Sequence, residues 1–410
     1  MKRKVLRIII VLGIVGILVS INSKKEDQLE SLAVYIDNEY VSSIPDKNSD
    51  YVIDKIVCDD DIKASWDDYN WTLKLNSLNK KLKCNLYFRT DKITKDIIKS
   101  LDTSGKCPSM NRDGSVKIDG AETENSLVCR TLDNYGISYY YRGNVTNNYV
   151  YFAGYYFRIL RINGDGSIRL IYDGTSIHKN SEASEDRIIG KSAFNDDASD
   201  NAYVGYMYGS VGSSTYLETH KNINDSTIKK YLDTWYENNL GNTKYAQYIV
   251  NNIFCSERTI SEYHPDSNFV NLGYWKTLTQ YRGSYGPWSA SSDSNNAKMT
   301  YKCQNSNDIL ELPIGLITKD EGVLAGGYNT RNDNLFISDG NMNWTMSPDC
   351  YNDMDNYEEK GAANRCFFGS GFFSCDSNVT AELGVKPVIN LKSGSLKSGD
   401  GTASSPYVLE

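Results

Sequence analysis

The chain has 410 residues, of which 40% are hydrophobic and 23% charged, so it is long enough for two or three domains that bury a core. Its formal net charge is −8, and no basic patch follows the N-terminus. This composition argues against nucleic acid as a partner, because binding to phosphates needs clustered Lys and Arg.

Residues 1–25 indicate export. Four cations within residues 2–7 precede the apolar stretch 8–21, and this order keeps the positive end in the cytoplasm. No small-x-small cleavage site follows the stretch. We therefore predict an uncleaved signal anchor, a transmembrane helix that holds the protein in the cell membrane as a single-pass protein with its C-terminal bulk extracellular.

The nine cysteines agree with an exported address, where disulfides persist. They fall in groups that are local in the sequence, and this grouping predicts three bonds: Cys58–Cys84, Cys107–Cys129 and Cys255–Cys303. Connectivity does not follow from sequence alone, so the local pairing is a hypothesis. The odd number leaves at least one cysteine over, which we place in the last trio: Cys350, Cys366 and Cys375.

Residues 33–89 alternate like strands and are predicted to form a small all-β, Ig-like sandwich module in which Cys58 and Cys84 tie the second strand to the last. So short a domain buries little core, and a disulfide closing a loop of this size adds about 3 kcal/mol. We expect the module to act as a spacer above the membrane. Residues 90–104 are predicted to form a linker helix, because apolar residues recur there at helical spacing.

Residues 105–410 are predicted to form one domain. It is organised around a hairpin over 149–172, whose arms are rich in aromatic and β-branched residues and whose turn is the NGDG sequence at 163–166. Helices are expected over 227–239 and 245–253. The first is capped at Asp225-Ser226-Thr227, and its apolar residues recur at helical spacing and are assigned to the core: Ile228, Tyr231, Leu232 and Trp235. A capping box from Thr318 to Glu321 opens a further short helix.

Two long loops carry the residues that we expect to bind. The loop 173–224 is polar and rich in Tyr, and the loop between Cys255 and Cys303 is rich in aromatic residues. Tyr and Trp offer a rigid amphipathic contact surface at low entropic cost, and loops on a rigid scaffold commonly carry function. The candidate binding residues are Trp275, Tyr281, Trp288 and Trp344. The alternative is that many of these rings simply face strands.

Several segments carry a resemblance: residues 141–174, the LPIGLITKDEGVLAGG segment, NWTMSP and GVKPVINL, in this order. On these residues the chain resembles a family of uncharacterised, membrane-anchored surface proteins of low-GC Gram-positive bacteria over nearly its whole length. Its C-terminal motifs are also similar to the end of C-type-lectin-like and formylglycine-generating-enzyme-like domains. That similarity implies an α+β fold with an irregular antiparallel sheet, few helices and a long-loop face used for binding. It implies no reaction.

No motif identifies a catalytic site. The three histidines, His178, His220 and His264, do not form H-E-x-x-H, and G-x-S-x-G, P-loop and dinucleotide fingerprints are missing. Formylglycine-generating enzymes use a cysteine pair, but the sequence around Cys366 and Cys375 does not match their motif. An enzyme is therefore not expected.

We expect no cofactor. The alternative is calcium binding at two acidic segments, because hard cations prefer oxygen ligands. Otherwise these segments are solvated loops. They are the pair Asp113 and Asp119 and the cluster Asp349, Asp353, Asp355 and Glu358.

Together these features predict a surface-anchored extracellular binding or adhesion protein that recognises glycan or protein through aromatic and Asn- and Ser-rich loops. One alternative is a cell-envelope glycan hydrolase or modifying enzyme, whose carboxylate pair the fold would assemble. The other is a structural envelope protein without a specific ligand.

Overall fold

A computed structural model describes residues 29–59, 64–67, 70–75, 82–260, 278–281, 298–328, 330–352, 362–369 and 372–409. In these residues the chain is mostly antiparallel β-sheet with few helices, in agreement with the predicted α+β class. It divides into two compact units, unit 1 over residues 1–99 and unit 2 over residues 100–410. None of the described helices is long and apolar enough to cross a membrane, and the anchor predicted at 1–25 lies outside the described residues.

The three predicted disulfides are confirmed. Their sulfur atoms lie 1.95–2.03 Å apart in the pairs Cys58–Cys84, Cys107–Cys129 and Cys255–Cys303. Of the last trio, Cys375 is disulfide-bonded, and Cys366 lies directly opposite it on the neighbouring strand. The thiol of Cys350 lies 3.6 Å from Asp349 Oδ2.

Unit 1 contains a four-stranded sheet, a separate hairpin and one helix. The elements are β1 (Leu29–Ile36), β2 (Glu39–Val41), β3 (Tyr51–Cys58), β4 (Ala64–Asp67), β5 (Thr72–Leu75), β6 (Leu82–Thr90) and α1 (Lys92–Lys99). The sheet has the order β2-β1-β6-β3, in which β1 and β6 are parallel, and β4 pairs with β5. The helix expected between residues 90 and 104 is therefore α1, and it falls within unit 1.

One face of this sheet carries the core of unit 1. The buried core residues are Val34, Trp66, Leu73, Leu86 and Phe88. Trp66, on the hairpin β4–β5, meets Phe88 of the sheet edge-on, with 5.3 Å between ring centroids. The prediction for this module is a sandwich of two sheets. In the described residues the second layer is only the hairpin β4–β5, whose two strands pair with each other and with no strand of the sheet.

Unit 2 contains the remaining elements. Its strands are β7 (Val116–Lys117), β8 (Ser126–Leu132), β9 (Ile137–Gly143), β10 (Tyr149–Phe152), β11 (Tyr155–Ile162), β12 (Ile168–Gly174), β13 (Lys191–Ser192), β14 (Met207–Tyr208), β15 (Asn224–Asp225), β16 (Asn252–Cys255), β17 (Leu278–Gln280), β18 (Lys298–Met299), β19 (Ile309–Leu312), β20 (Ile314–Gly315), β21 (Met342–Asn352), β22 (Ala362–Gly369), β23 (Phe372–Asn378), β24 (Leu383–Gly384), β25 (Val388–Leu391) and β26 (Tyr407–Val408). Its helices are α2 (Tyr216–Thr219), α3 (Thr227–Tyr236) and α4 (Lys319–Leu324).

An eight-stranded sheet forms the centre of unit 2. Its path is β20-β25-β12-β11-β10-β26, and β9 joins it through β11 and carries β8. The turn predicted at 163–166 is confirmed, because it joins β11 to β12, which pair antiparallel. The predicted first arm, however, contains two strands, β10 and β11. Ala153 and Gly154 adopt positive φ of 56° and 89° and turn the chain between these two strands.

A second sheet has the path β13-β24-β21-β22-β23, with β17 beside β21. The predicted capping box before α4 is confirmed: the Thr318 hydroxyl accepts from Glu321 N–H, and Glu321 accepts from Thr318 N–H. The helix predicted over 245–253 is wrong. A single 3₁₀ turn, Ala246–Tyr248, precedes an extended segment, because Val250 N–H donates to Asn390 on the central sheet.

Helix α3 is confirmed where the apolar spacing predicted it. Ile228 and Leu232 are fully buried, and the Ser226 hydroxyl accepts a hydrogen bond from Lys229 N–H at 3.2 Å. After Tyr236 the helix widens into one π-helical turn, Glu237–Gly241. The end of α3 therefore differs from an ordinary helix end.

Removal of the α3 cap is expected to destabilise unit 2 modestly. Ser226→Ala leaves a helix N–H without its acceptor, and we expect the free energy of unfolding to fall by about 1 kcal/mol, measured by urea denaturation. Ser226→Asn is the matched control, since Asn caps as well as Ser. Equal losses for both variants would contradict the capping role.

Candidate functional site

Two of the four aromatic residues predicted to bind, Tyr281 and Trp344, lie in the described part of the chain. Trp275 and Trp288 lie outside the described residues. Tyr281 and Trp344 are fully buried. The expectation that these two rings present an exposed contact face is therefore wrong.

Each of the two buried rings has a structural reason for its position. Tyr281 places its hydroxyl 2.9 Å from His220 Nε2 inside unit 2. Trp344 donates from Nε1 to the carbonyl of Ser192 at 2.8 Å and meets Phe194 edge-on at 5.6 Å. Buried Tyr and Trp usually find such partners for their polar atoms.

A different set of aromatic residues is partly exposed where α3 meets the hairpin β10–β11. Together with the neighbouring Asn239 we call this set the aromatic corner: Tyr155, Trp235 and Tyr245. The rings of Tyr155 and Trp235 lie 5.6 Å apart with an interplanar angle of 52°. Both also contact the buried ring of Tyr172, at 5.6 and 5.9 Å. This buried ring supports the two exposed ones, so they are held as a fixed pair.

Asn239 connects the Tyr155 hydroxyl to the backbone of Trp235 through its amide. Its Oδ1 accepts from the Tyr155 hydroxyl at 2.6 Å, and its Nδ2 donates to the carbonyl of Trp235 at 2.8 Å. Asn239 belongs to the π-helical turn, a rare element that is frequent at functional sites. The turn therefore places an amide directly beside the ring pair.

Tyr245 extends the aromatic corner along the same face of the hairpin. It meets the buried Phe152 edge-on at 5.4 Å, and Phe152 is the register partner of Tyr155. Burial raises the pKa of the supporting Tyr172, so this phenol stays neutral. The corner thus offers partly exposed rings together with neutral hydroxyl and amide groups.

A small cleft beside the Cys255–Cys303 disulfide is lined by three carboxylates, those of Glu257, Asp308 and Asp320. Asp308 binds the Arg258 guanidinium at 3.2 Å. Glu257, whose φ is 50°, accepts from the Ser347 hydroxyl, and Asp320 accepts from Thr300 N–H at 2.9 Å. Each carboxylate is engaged by the protein, so the cleft does not resemble an acid–base pair awaiting a substrate.

The surroundings of His178 place a serine and two carboxylates around one imidazole. Nδ1 lies 3.3 Å from Glu182, and Nε2 lies 3.2 Å from the Ser176 hydroxyl. Nε2 also lies 2.8 Å from Asp186, and Asp186 accepts the Ser176 hydroxyl at 3.1 Å. A base that activates a serine must accept the proton of the serine hydroxyl. Here Ser176 donates that proton to Asp186, and each imidazole nitrogen lies beside a carboxylate. The arrangement therefore holds a loop together and does not prepare a nucleophile.

No group of three His, Cys, Asp or Glu side chains in the described part of the chain is arranged to hold a metal ion. Asp113 instead accepts from the backbone and hydroxyl of Ser115, which lowers its pKa. Asp119 is near Lys117, at 3.8 Å. Most of the second acidic cluster, from Asp353 onwards, lies outside the described residues.

Comparison of the chain with protein-family models, with curated proteins and with solved structures finds no match. Function must therefore be argued from the chain's own geometry.

Sequence reasoning missed the aromatic corner, although a signal for it exists. The segment 235–248 reads WYENNLGNTKYAQY, which mixes four aromatic residues with Asn and Gln just as α3 ends. The prediction placed residues 245–248 in a helix, and it assigned Trp235 to the core because of its helical spacing. The irregular π-helical turn, which exposes part of this segment, has no simple sequence signature.

Proposed function

We propose that this chain is an extracellular, membrane-anchored binding protein whose unit 2, a C-type-lectin-like domain, recognises glycans through the aromatic corner. The observation that carries this proposal is the fixed, partly exposed pair of Tyr155 and Trp235 with the Asn239 amide beside it. Flat apolar rings with adjacent neutral hydrogen-bonding groups suit sugar rings, which combine apolar C–H faces with hydroxyl edges.

The proposed address rests on other observations. Three disulfides support an oxidising compartment, and the cationic, apolar N-terminus supports an anchor. The resemblance to membrane-anchored surface proteins of low-GC Gram-positive bacteria supports the same placement.

Binding is better supported than catalysis. The carboxylates of the cleft beside Cys255 and those around His178 are engaged in hydrogen bonds or ion pairs within the protein. A protein ligand at the aromatic corner is the alternative, and a folded protein that binds no glycan in the test below would favour it.

Removal of the Trp235 ring is expected to weaken glycan binding at least about tenfold, since aromatic residues at the centre of a binding site commonly contribute more than 1 kcal/mol. The measurement is binding of the full-length protein in detergent micelles to a broad glycan array, followed by titration with the best glycan. Wild type and Trp235→Ala are compared with and without calcium.

Tyr151→Ala is the matched control. Tyr151 is 42% exposed on the same hairpin, but it alternates to the face opposite Tyr155. We expect this control to bind like wild type and both variants to keep the wild-type circular dichroism spectrum. A folded wild-type protein that binds nothing on the array, or a Trp235→Ala variant that binds normally, would sink the proposal.

A further inference from the structure

A row of aromatic side chains crosses the sheet of unit 1. Tyr40 on β2 is the register partner of Tyr35 on β1, Tyr35 is the partner of Tyr87 on β6, and Tyr87 is the partner of Lys55 on β3. We call these four residues the tyrosine row. They span all four strands, so three strand spacings of about 4.8 Å give the row a length of roughly 14 Å.

The tyrosine row lies on the face of the sheet that points away from the core. Val34 and Leu86 belong to the buried core, and side chains alternate along a strand, so Tyr35 and Tyr87 point to the opposite face. Tyr40 is 68% exposed, more than any other large hydrophobic side chain described. Lys55 at the other end is also exposed, whereas Tyr35 and Tyr87 are half-buried, so the row is most accessible at its two ends.

The rings of the row are held in a defined order. Tyr35 and Tyr87 are stacked, with 4.7 Å between centroids and an interplanar angle of 12°. Lys55 Nζ lies 4.5 Å from the Tyr87 centroid, and Tyr40 meets Tyr35 edge-on at 5.9 Å. The inner rings thus cover each other's faces, whereas the highly exposed Tyr40 keeps ring surface open to solvent.

The charges around the row are nearly balanced. The neighbouring outward positions are Ala33, Asn85 and Val57, which carry no charge. On the other side of the row, Arg89 follows Tyr87 by two positions on β6 and lies 3.2 Å from Asp54. The surface therefore complements an uncharged ligand better than an anionic one.

We propose that the tyrosine row is a second ligand site, which binds an uncharged polysaccharide lying across the strands. A sugar ring would stack on Tyr40, and hydroxyl groups further along would meet the Tyr35 and Tyr87 phenols and the Asn85 amide. Unit 1, which the sequence presents as a spacer, would then take part in recognition. This site uses residues of unit 1 alone, so it does not depend on the aromatic corner.

A purely structural role for the row is the competing explanation. Cross-strand aromatic pairs stabilise sheets, and the stacked pair Tyr35 and Tyr87 serves this role in any case. Tyr40 separates the two explanations, because so exposed a ring at the end of the row adds little to packing but would be the stacking surface of the site.

The test is a two-by-two comparison in the full-length protein held in detergent micelles: wild type, Tyr40→Ala, Trp235→Ala and the double variant. The probes are chitin, amylose, mannan and a β-glucan, with polygalacturonate as the acidic comparison. Retention on each polymer is measured with and without added salt, and melting temperatures are recorded. Tyr40→Trp, which keeps a ring, is the rescue variant.

We expect Trp235→Ala to retain binding to an uncharged polymer, and we expect the double variant with Tyr40→Ala to bind that polymer about tenfold more weakly. Tyr40→Trp should restore this binding, and added salt should not change it. Loss of all binding in Trp235→Ala alone would overturn this inference and leave the proposed function intact. Loss in Tyr40→Ala but not in Trp235→Ala would support the inference against the proposed function. Binding only to polygalacturonate, or a Tyr40→Ala variant that changes stability without changing retention, would overturn the inference.

Discussion

Replacement of Asp173 by Asn is expected to lower the free energy of unfolding of unit 2 by about 3–5 kcal/mol, because it leaves buried cations without their counter-charge. Asp173 is fully buried at the end of β12. Its Oδ1 accepts from Arg187 at 2.5 Å and lies 3.6 Å from Lys386 Nζ. Its Oδ2 lies 3.7 Å from Arg158.

The neighbouring carboxylate cannot take over this role. Asp339 lies 2.9 Å from Lys386 Nζ and also accepts from the amide of Asn343. With Asp173 neutral, the Arg158 and Arg187 guanidinium groups would share a buried site without an anion beside them. Breaking a buried ion pair on one side costs more than the pair contributes, since the remaining charge stays desolvated.

Urea denaturation at neutral pH, followed by circular dichroism and fluorescence, measures the loss for Asp173→Asn. The matched control is Glu218→Gln, which removes an exposed ion pair of unit 2, where Glu218 and Lys221 lie 2.7 Å apart. Such exposed pairs contribute about 0.2–1 kcal/mol. Similar losses for the two variants would contradict the argument.

These buried charges show where sequence reasoning reached its limit. Strand alternation in β11 and β12 places Arg158 and Arg169 on the face opposite Phe157 and Leu170. Both are fully buried, because further elements cover each face of the central sheet. Periodicity identifies which residues share a face, but it does not reveal whether another element covers that face.

Local signals were more informative than composition. The NGDG turn, the Ser226 cap and the capping box at Thr318 each follow from the chemistry of a few adjacent residues, and the structure contains all three. The prediction that cysteines close in the sequence pair with each other is also confirmed for three pairs. Composition alone indicated the binding residues, and Tyr281 and Trp344 illustrate its weakness, since a Trp or Tyr suits a core as well as a surface.

Glu321 connects a local signal with the buried charges, and its replacement by Gln is expected to cost about 3–5 kcal/mol at neutral pH. Glu321 is the third residue of α4 and completes the capping box. Its Oε1 also lies 2.9 Å from Arg161 and 2.6 Å from Arg169. One carboxylate therefore holds the start of α4 and two strands of the central sheet.

The pH dependence of stability separates the ion pairs of Glu321 with Arg161 and Arg169 from its capping and packing contacts. Burial alone would raise the pKa of Glu321, but Arg169 and Arg161 outweigh it, so the pKa lies below its usual value. A lowered folded-state pKa stabilises unit 2 at pH above the unfolded-state pKa of about 4.3, and this stability is lost as the pH falls through the folded-state pKa. Below both pKa values the carboxyl is neutral in either state.

Unfolding of wild type and Glu321→Gln by urea at a series of pH values measures this contribution. We expect the difference between the two proteins to be largest near neutral pH and to shrink steadily below about pH 4.3, because the protonated carboxyl then resembles the amide. Thr318→Ala is the control for capping alone and is expected to cost about 1 kcal/mol. A difference between wild type and Glu321→Gln that stays constant down to acid pH would mean that packing, and not the ion pairs with Arg161 and Arg169, makes Glu321 important.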